Sequence, residues 1–178
     1  MSTQVSIPGY EVGTWVIDAS RSEVAFQVRM LGFMKTRGTF DAFEGSVVLA
    51  ENPLDSTVNA VISTTSVNTK HKRRDTDIQH AGYLNTGQYP TVTFASTGVR
   101  VDGDDFLVDG DLTALAVTKQ VTLRLSAKAF ETGADGKPVA RFSATTQISN
   151  KEVGVTKGSA FINDTTAIEL DIVATKQD

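Results

Sequence analysis

Cysteine is absent from the 178 residues. Disulfides, zinc–thiolate centres, iron–sulfur clusters and thiol catalysis are therefore excluded. The redox compartment stays open, because a chain of this length buries enough apolar surface to fold without bridges in either setting. Histidine occurs only at His71 and His80, which leaves little imidazole for metal binding or acid–base work. Long apolar runs are also missing: no stretch approaches the ~20 residues of a spanning helix. Residues 1–9 show no basic start followed by an apolar stretch, so no secretory signal is predicted. The expected location is cytoplasmic, or secreted or periplasmic if a leader has been trimmed. Excess positive charge is lacking too. A net charge of -4 gives no general electrostatic reason to bind nucleic acid or an anionic membrane, and without a long apolar run no stable membrane insertion is expected.

What the sequence has in quantity is alternation. Val24, Phe26, Val28 and Met30 interleave with Glu23, Ala25, Gln27 and Arg29. Val58, Ala60, Ile62 and Thr64 share one face, as do Val92, Phe94 and Ser96. The same period orders Val121, Leu123, Leu125 and Ala127, then Phe142, Ala144, Thr146 and Ile148, then Ile168, Leu170, Ile172 and Ala174. Side chains two apart point to the same face of a strand, so each run reads as a half-buried strand. Asp102-Gly103-Asp104-Asp105 and Thr132–Pro138 supply turn chemistry between runs. A series of about eight to ten strands without alternating helices predicts an all-β single domain over 1–178, with 1–12 as an N-terminal extension.

The period fails from about Thr69 to Thr86. Ile78, Ala81 and Leu84 fall near helical spacing, with Asp75 and Asp77 early, which predicts a short helix over one end or flank of the sheet. Periodicity alone leaves barrel and sandwich open. Small inward positions (Ala60, Thr64, Ser96, Ala114, Ala144 and Thr146) would leave room inside a closed sheet, unless long side chains from across the barrel fill it.

Several segments, in order, resemble the YceI-like family of lipocalin-like polyisoprenoid-binding proteins. They are Trp15-Val16-Ile17-Asp18, Ser22–Phe26, Gly38-Thr39-Phe40, Phe43-Glu44-Gly45, Arg74-Asp75, Tyr89–Phe94, Gly110–Thr113 and Val117-Thr118-Lys119. The chain departs from the family pattern at four places. Ala116 replaces a Gly, Gln120 a Pro, Asp77 a His after the Arg-Asp pair, and Asn150 an Arg before the late element that here reads Glu152-Val153-Gly154. The resemblance implies an extended antiparallel lipocalin-like barrel of about eight strands with a short helix alongside. It implies binding of a long-chain isoprenoid or fatty-type lipid, as carrier or storage protein, without catalysis.

On that basis the candidate lining residues are Phe26, Val28, Met30, Phe40, Phe43, Ile62, Phe94, Leu112, Leu123, Leu125, Phe142 and Ile148. Phe106 is a further aromatic candidate. Lys70–Arg74 is the one dense basic cluster, and Arg73, Arg74, His71 and His80 are the head-group candidates. The competing reading is a solvated loop with Arg74 paired to Asp75 or Asp77. His71 and His80 match no metal motif, and no cofactor is expected beyond a bound isoprenoid lipid. No G-x-S-x-G nucleophile element is present. Glu11, Asp18 and Glu23 read as strand-edge charges. Tyr10 and Trp15 read as barrel-end packing, and Tyr83 and Tyr89 as anchors for the helical segment. The alternatives are an enzyme acting on a lipid-like substrate inside the barrel, or a ligand-free interaction module such as a homodimer through strand edges.

Overall fold

The structure, a computed structural model, describes residues 7–30, 34–80, 84–152 and 162–177. Among these are eleven strands and one α-helix. The strands are β1 (Gly13–Ile17), β2 (Glu23–Met30), β3 (Met34–Phe40), β4 (Phe43–Leu49), β5 (Thr57–Ser63), β6 (Val67–Asn68), β7 (Thr91–Asp102), β8 (Asp105–Ala114), β9 (Val117–Thr132), β10 (Pro138–Ser149) and β11 (Ile162–Lys176). The helix α1 spans Lys72–Gln79.

All pairings are antiparallel, in the order β1-β4-β5-β7-β8-β9-β10-β11, and β11 returns to β1 through Trp15↔Lys176, Val16↔Thr175 and Ile17↔Ala174. The sheet is therefore a closed eight-stranded barrel, as the resemblance implied. β2 and β3 extend it at one end, where β2 takes over the edge of β11 and β3 pairs with β2. Thus β1 and β2 form one long stave broken in the middle, and β3 and β4 form another.

Each break is held by an aspartate. Asp18 Oδ1 accepts the Ser20 N–H at 3.0 Å, and its Oδ2 accepts Arg21 Nε at 2.7 Å. This caps a single 3-10 turn between β1 and β2. Ser22 Oγ accepts the Val173 N–H at 2.8 Å, so a side chain replaces a backbone partner where the ladder is interrupted. Asp41 Oδ1 accepts from the Thr39 hydroxyl at 2.7 Å, and Oδ2 from Asn68 Nδ2 at 2.8 Å. Asp18 is thus a turn-capping group rather than a plain strand-edge charge.

The two ends of the barrel differ. At the end holding the β7–β8 and β9–β10 turns, Trp15 is fully buried among Val47, Leu49, Ala140, Phe142 and Ala174. Phe130 meets Trp15 edge-on with ring centres 5.8 Å apart, and meets Phe142 edge-on at 5.9 Å. Tyr10, from the N-terminal extension, packs on Phe130 and donates its hydroxyl to Ala50 O. Burial pushes the Tyr10 phenol above its ordinary pKa. This end is closed.

At the other end, β3 has a strand partner on its far side only at Thr39 and Phe40, where β6 pairs with it. Beyond that point the segment carrying α1 covers the gap. The helix is shorter than the sequence pattern predicts. It stops at Gln79 because His80 takes an extended backbone. The Leu84 N–H donates to Ile78 O at 2.9 Å, six residues back, which is not the four-residue step of an α-helix. Ala81, Tyr83, Val153 and Gly154 lie outside the described residues.

Candidate functional site

Inside the barrel lies a cavity of about 520 Å³, within the range of small-molecule sites. Period-two alternation supplies its wall, since each strand contributes every second side chain. Eleven of the candidate lining residues stand on that wall: Phe26, Val28, Phe40, Phe43, Ile62, Phe94, Leu112, Leu123, Leu125, Phe142 and Ile148. The Met30 side chain lies outside the described residues. Phe106 is buried but stands apart from the cavity wall.

The small residues Ala60, Ala114, Ala144 and Thr146 line the wall as expected. Thr64 and Ser96 do not. Thr64 falls in a 3-10 turn beyond β5, and its hydroxyl donates to Tyr89 O at 2.9 Å. Ser96 sits at a register shift in β7, where its hydroxyl accepts the Val58 N–H at 2.7 Å. A bulge resets the side-chain alternation, which is why extrapolating the period fails there.

Two glycines shape the interior by close approach. A Cβ on Gly110 would lie 2.4 Å from Phe94 Cζ and 2.7 Å from Ala95 O. A Cβ on Gly38 would lie 2.4 Å from Phe26 Cζ. Both glycines let a neighbouring phenyl ring lie flat along the wall and keep the lumen clear.

The wall also includes residues not singled out from the sequence. Ile17, Val24, Val92, Val121, Ile168, Leu170 and Ile172 share faces with the named candidates, so the alternation carried the signal. Ile78 and Leu84, which fall near helical spacing in the sequence, reach the cavity from the irregular segment.

Polar lining residues gather at the open end. The helix presents Arg74, Asp77 and Ile78, which are three and four residues apart and so share one face. Opposite them stand Asn150, Lys151, Asp164 and Thr166. Arg74 Nε donates to Thr69 Oγ1 at 2.9 Å and Nη2 donates to Thr69 O at 2.8 Å. The Thr69 N–H in turn donates to Asp75 Oδ1 at 2.7 Å. Arg74 is therefore positioned by Thr69, and among the described residues it forms no ion pair with Asp75 or Asp77. Asp164 accepts from the Ser149 hydroxyl and from the Lys151 N–H. These bonds and the Lys151 charge hold its carboxyl below the ordinary range.

The remaining head-group candidates do not line the cavity. His71 caps α1 instead, its Nδ1 accepting the Arg74 N–H at 3.2 Å. Arg73 and His80 are exposed. Among the described residues, no group of three or more His, Asp or Glu could hold a metal ion.

With this geometry in place, comparison with known proteins decides the family. The YceI-like domain matches residues 15–174. The chain belongs to the YceI-like family. A protein YceI of Escherichia coli O17:K52:H18 is 43% identical over 135 residues, covering 74% of this chain and 70% of that protein. A UPF0312 protein of Pectobacterium atrosepticum is 38% identical over 136 residues, covering 75% and 70%. Among solved structures, BcnA of Burkholderia cenocepacia superposes with a TM-score of 0.80 at 21% identity, covering 89% of this chain and 99% of that one. A polyisoprenoid binding domain from Saccharophagus degradans, implicated in plant cell wall breakdown, superposes with a TM-score of 0.67 at 17% identity, covering 94% and 100%. At such identities the likeness establishes the shared YceI-like fold.

Proposed function

We propose that the chain binds a long polyisoprenoid, or an amphiphile of similar shape, inside the barrel and serves as its carrier or store. The observation that carries this reading is the cavity itself: apolar along its wall, closed by aromatics at one end and polar at the other. A tail drawn from water gains about 0.8 kcal/mol for each CH₂ buried. Binding therefore needs little polar contact along the wall, and a head group would rest at the open end. The Saccharophagus domain, named for polyisoprenoid binding, has the same fold and supports the assignment. The reading requires no cofactor and no catalytic step. The two histidines that would serve an enzyme as acid–base groups stand away from the cavity.

Organic extraction of the purified protein, with native mass spectrometry of the intact complex, tests the proposal. One lipid per chain is the expected result. A protein that carries no lipid and takes up no prenyl ligand on titration would rule it out.

A further inference from the structure

We propose that the rim formed by β2, β3 and α1 docks on an anionic lipid bilayer, with the mouth of the barrel turned toward it. This docking goes beyond the reading of the cavity and does not depend on what the cavity holds.

The net charge of -4 conceals a sorting of charge along the barrel. At the closed end, the turns over 50–56, 102–105 and 132–138 carry Glu51, Asp55, Asp102, Asp104, Asp105 and Asp135 against one lysine, Lys137. Among the described residues, only Asp102 and Asp105 of these acids are in an ion pair, both with Arg124. At the open end, β2 and β3 present Arg29 and Lys35, and the segment entering α1 presents Lys70, Lys72 and Arg73, all exposed. A Cβ on Gly38 of β3 would lie 2.9 Å from Thr69 Cγ2, so the two cationic elements abut on one side of the mouth.

These cations oppose the fold. Arg29 and Lys35 stand directly across the β2–β3 ladder from each other, where like charges destabilise. Lys72 and Arg73 begin α1, at the helix end whose partial charge is already positive. Among the described residues none of the five forms an ion pair. The neighbouring acids are engaged elsewhere. Asp75 accepts from the N–H and the hydroxyl of Thr69, and Asp77 lines the cavity. Asp41 is bonded to Thr39 and Asn68, and feels the Lys70 charge without forming an ion pair with it. Unpaired charges that cost stability fit an external surface of opposite sign.

Met34 indicates which surface. It lies at the rim next to Lys35 and is 51% exposed. An apolar side chain among cations suits a bilayer interface, where the cations meet phosphate and the thioether reaches the acyl boundary. The phosphates of a nucleic acid would match the cations but give Met34 no apolar environment. Each lysine or arginine adds attraction that fades within a Debye length, so the contact is reversible and sensitive to salt. The acidic closed end is repelled by the same surface, which orients the barrel mouth first.

Co-sedimentation of the intact chain with vesicles tests the proposal. One set is phosphatidylcholine alone, and the other contains about one-third phosphatidylglycerol. Partition onto the anionic vesicles should exceed that onto the neutral ones by about tenfold, and the excess should vanish near about 1 M salt. Lys72→Gln with Arg73→Gln, and Arg29→Gln with Lys35→Gln, should each lower anionic-vesicle partition by about tenfold. Thermal unfolding should be unchanged or raised in both, since each pair removes charges that oppose the fold. Equal partition onto the two vesicle types, or no loss in either double variant, overturns the docking. So does a lowered unfolding temperature in both variants, which would make the cations structural. Tighter binding to single-stranded RNA than to the anionic vesicles also overturns it and gives the patch to nucleic acid. None of these readouts requires a lipid in the cavity, so the docking and the carrier reading fail separately.

Discussion

The closed end and the open end are built from the same barrel by opposite means. At the closed end, Trp15, Phe130 and Phe142 interlock edge to face, and Trp15 is fully buried. At the open end, α1 contributes no fully buried residue and is tied down through hydrogen bonds at Thr69. Packing density resists change, because a cavity in a filled core has nothing to collapse into it. Short polar tethers hold position at little cost and open readily. The contrast places stability at one end and access at the other.

Trp15→Ala should break the comparison most strongly. It empties the closed end and should cost about 3–5 kcal/mol in urea unfolding followed by circular dichroism. The matching change at the open end, Ile78→Ala, should leave unfolding within about 1 kcal/mol of the parent, because the residue is half-buried on a surface helix. It should still weaken prenyl-alcohol binding, by about tenfold, through lost tail contact. Equal stability losses at the two sites would dissolve the contrast.

Gly110→Ala tests the wall between the ends. The new methyl would strike the Phe94 ring and the Ala95 carbonyl, and overpacking of this kind costs about 1–3 kcal/mol. The ring should swing into the lumen, so affinity for a long tail should fall together with stability.

A smaller effect of opposite sign is expected at the β8–β9 turn. Leu115 and Ala116 have φ of 50° and 64°, the left-handed region that disfavours residues with a Cβ. Ala116→Gly should raise the unfolding free energy by about 1 kcal/mol. Calorimetry showing no gain would mean that the turn is unstrained.

Acid offers the finest separation. Hydrogen bonds from Ser20 and Arg21 lower the pKa of Asp18, those from Asn68 and Thr39 lower that of Asp41, and those from Ser149 and the Lys151 N–H lower that of Asp164. Arg100 and Thr122 lower Asp109 to about 2. A carboxyl whose folded pKa is depressed stabilises the fold fully above its ordinary value of 3.8. That contribution is lost as pH falls through the folded value. The aromatic cluster at the closed end contains no carboxylate. At pH about 3, amide exchange should therefore quicken at the strand breaks and near residue 164 before Trp15 fluorescence changes. Trp15 is the only tryptophan, so that signal reports the closed end alone.

The sequence shows the walls of the site better than its ends. Phe26, Phe94, Leu123 and Phe142 could be placed on the lumen because alternation survives along β2, β7, β9 and β10. It was lost where a register shift intervenes. In β9 the pairing passes from Ala127 to Ala129 across from Arg141 and Phe142. This shift turns Phe130 inward against Trp15, and no simple period reveals it. Ring closure was legible through the family resemblance and not through periodicity, because the pairing of Trp15 with Lys176 depends on barrel shear rather than on any local pattern. At the open end, Arg74 and Asp77 could be named from motif position alone. The placement of Arg74 depends on Thr69, beside which Lys70 takes φ 65°.

The β1–β11 seam has a consequence for how the protein is made. Residues 15–17 are among the first described strand positions, yet they pair with residues 174–176. The nascent chain on the ribosome cannot seal its barrel until residues 174–176 emerge. Long-range pairing of this kind slows folding. Until residues 174–176 are in place the barrel has an open seam, and its unsealed edges are the segments most in need of a chaperone.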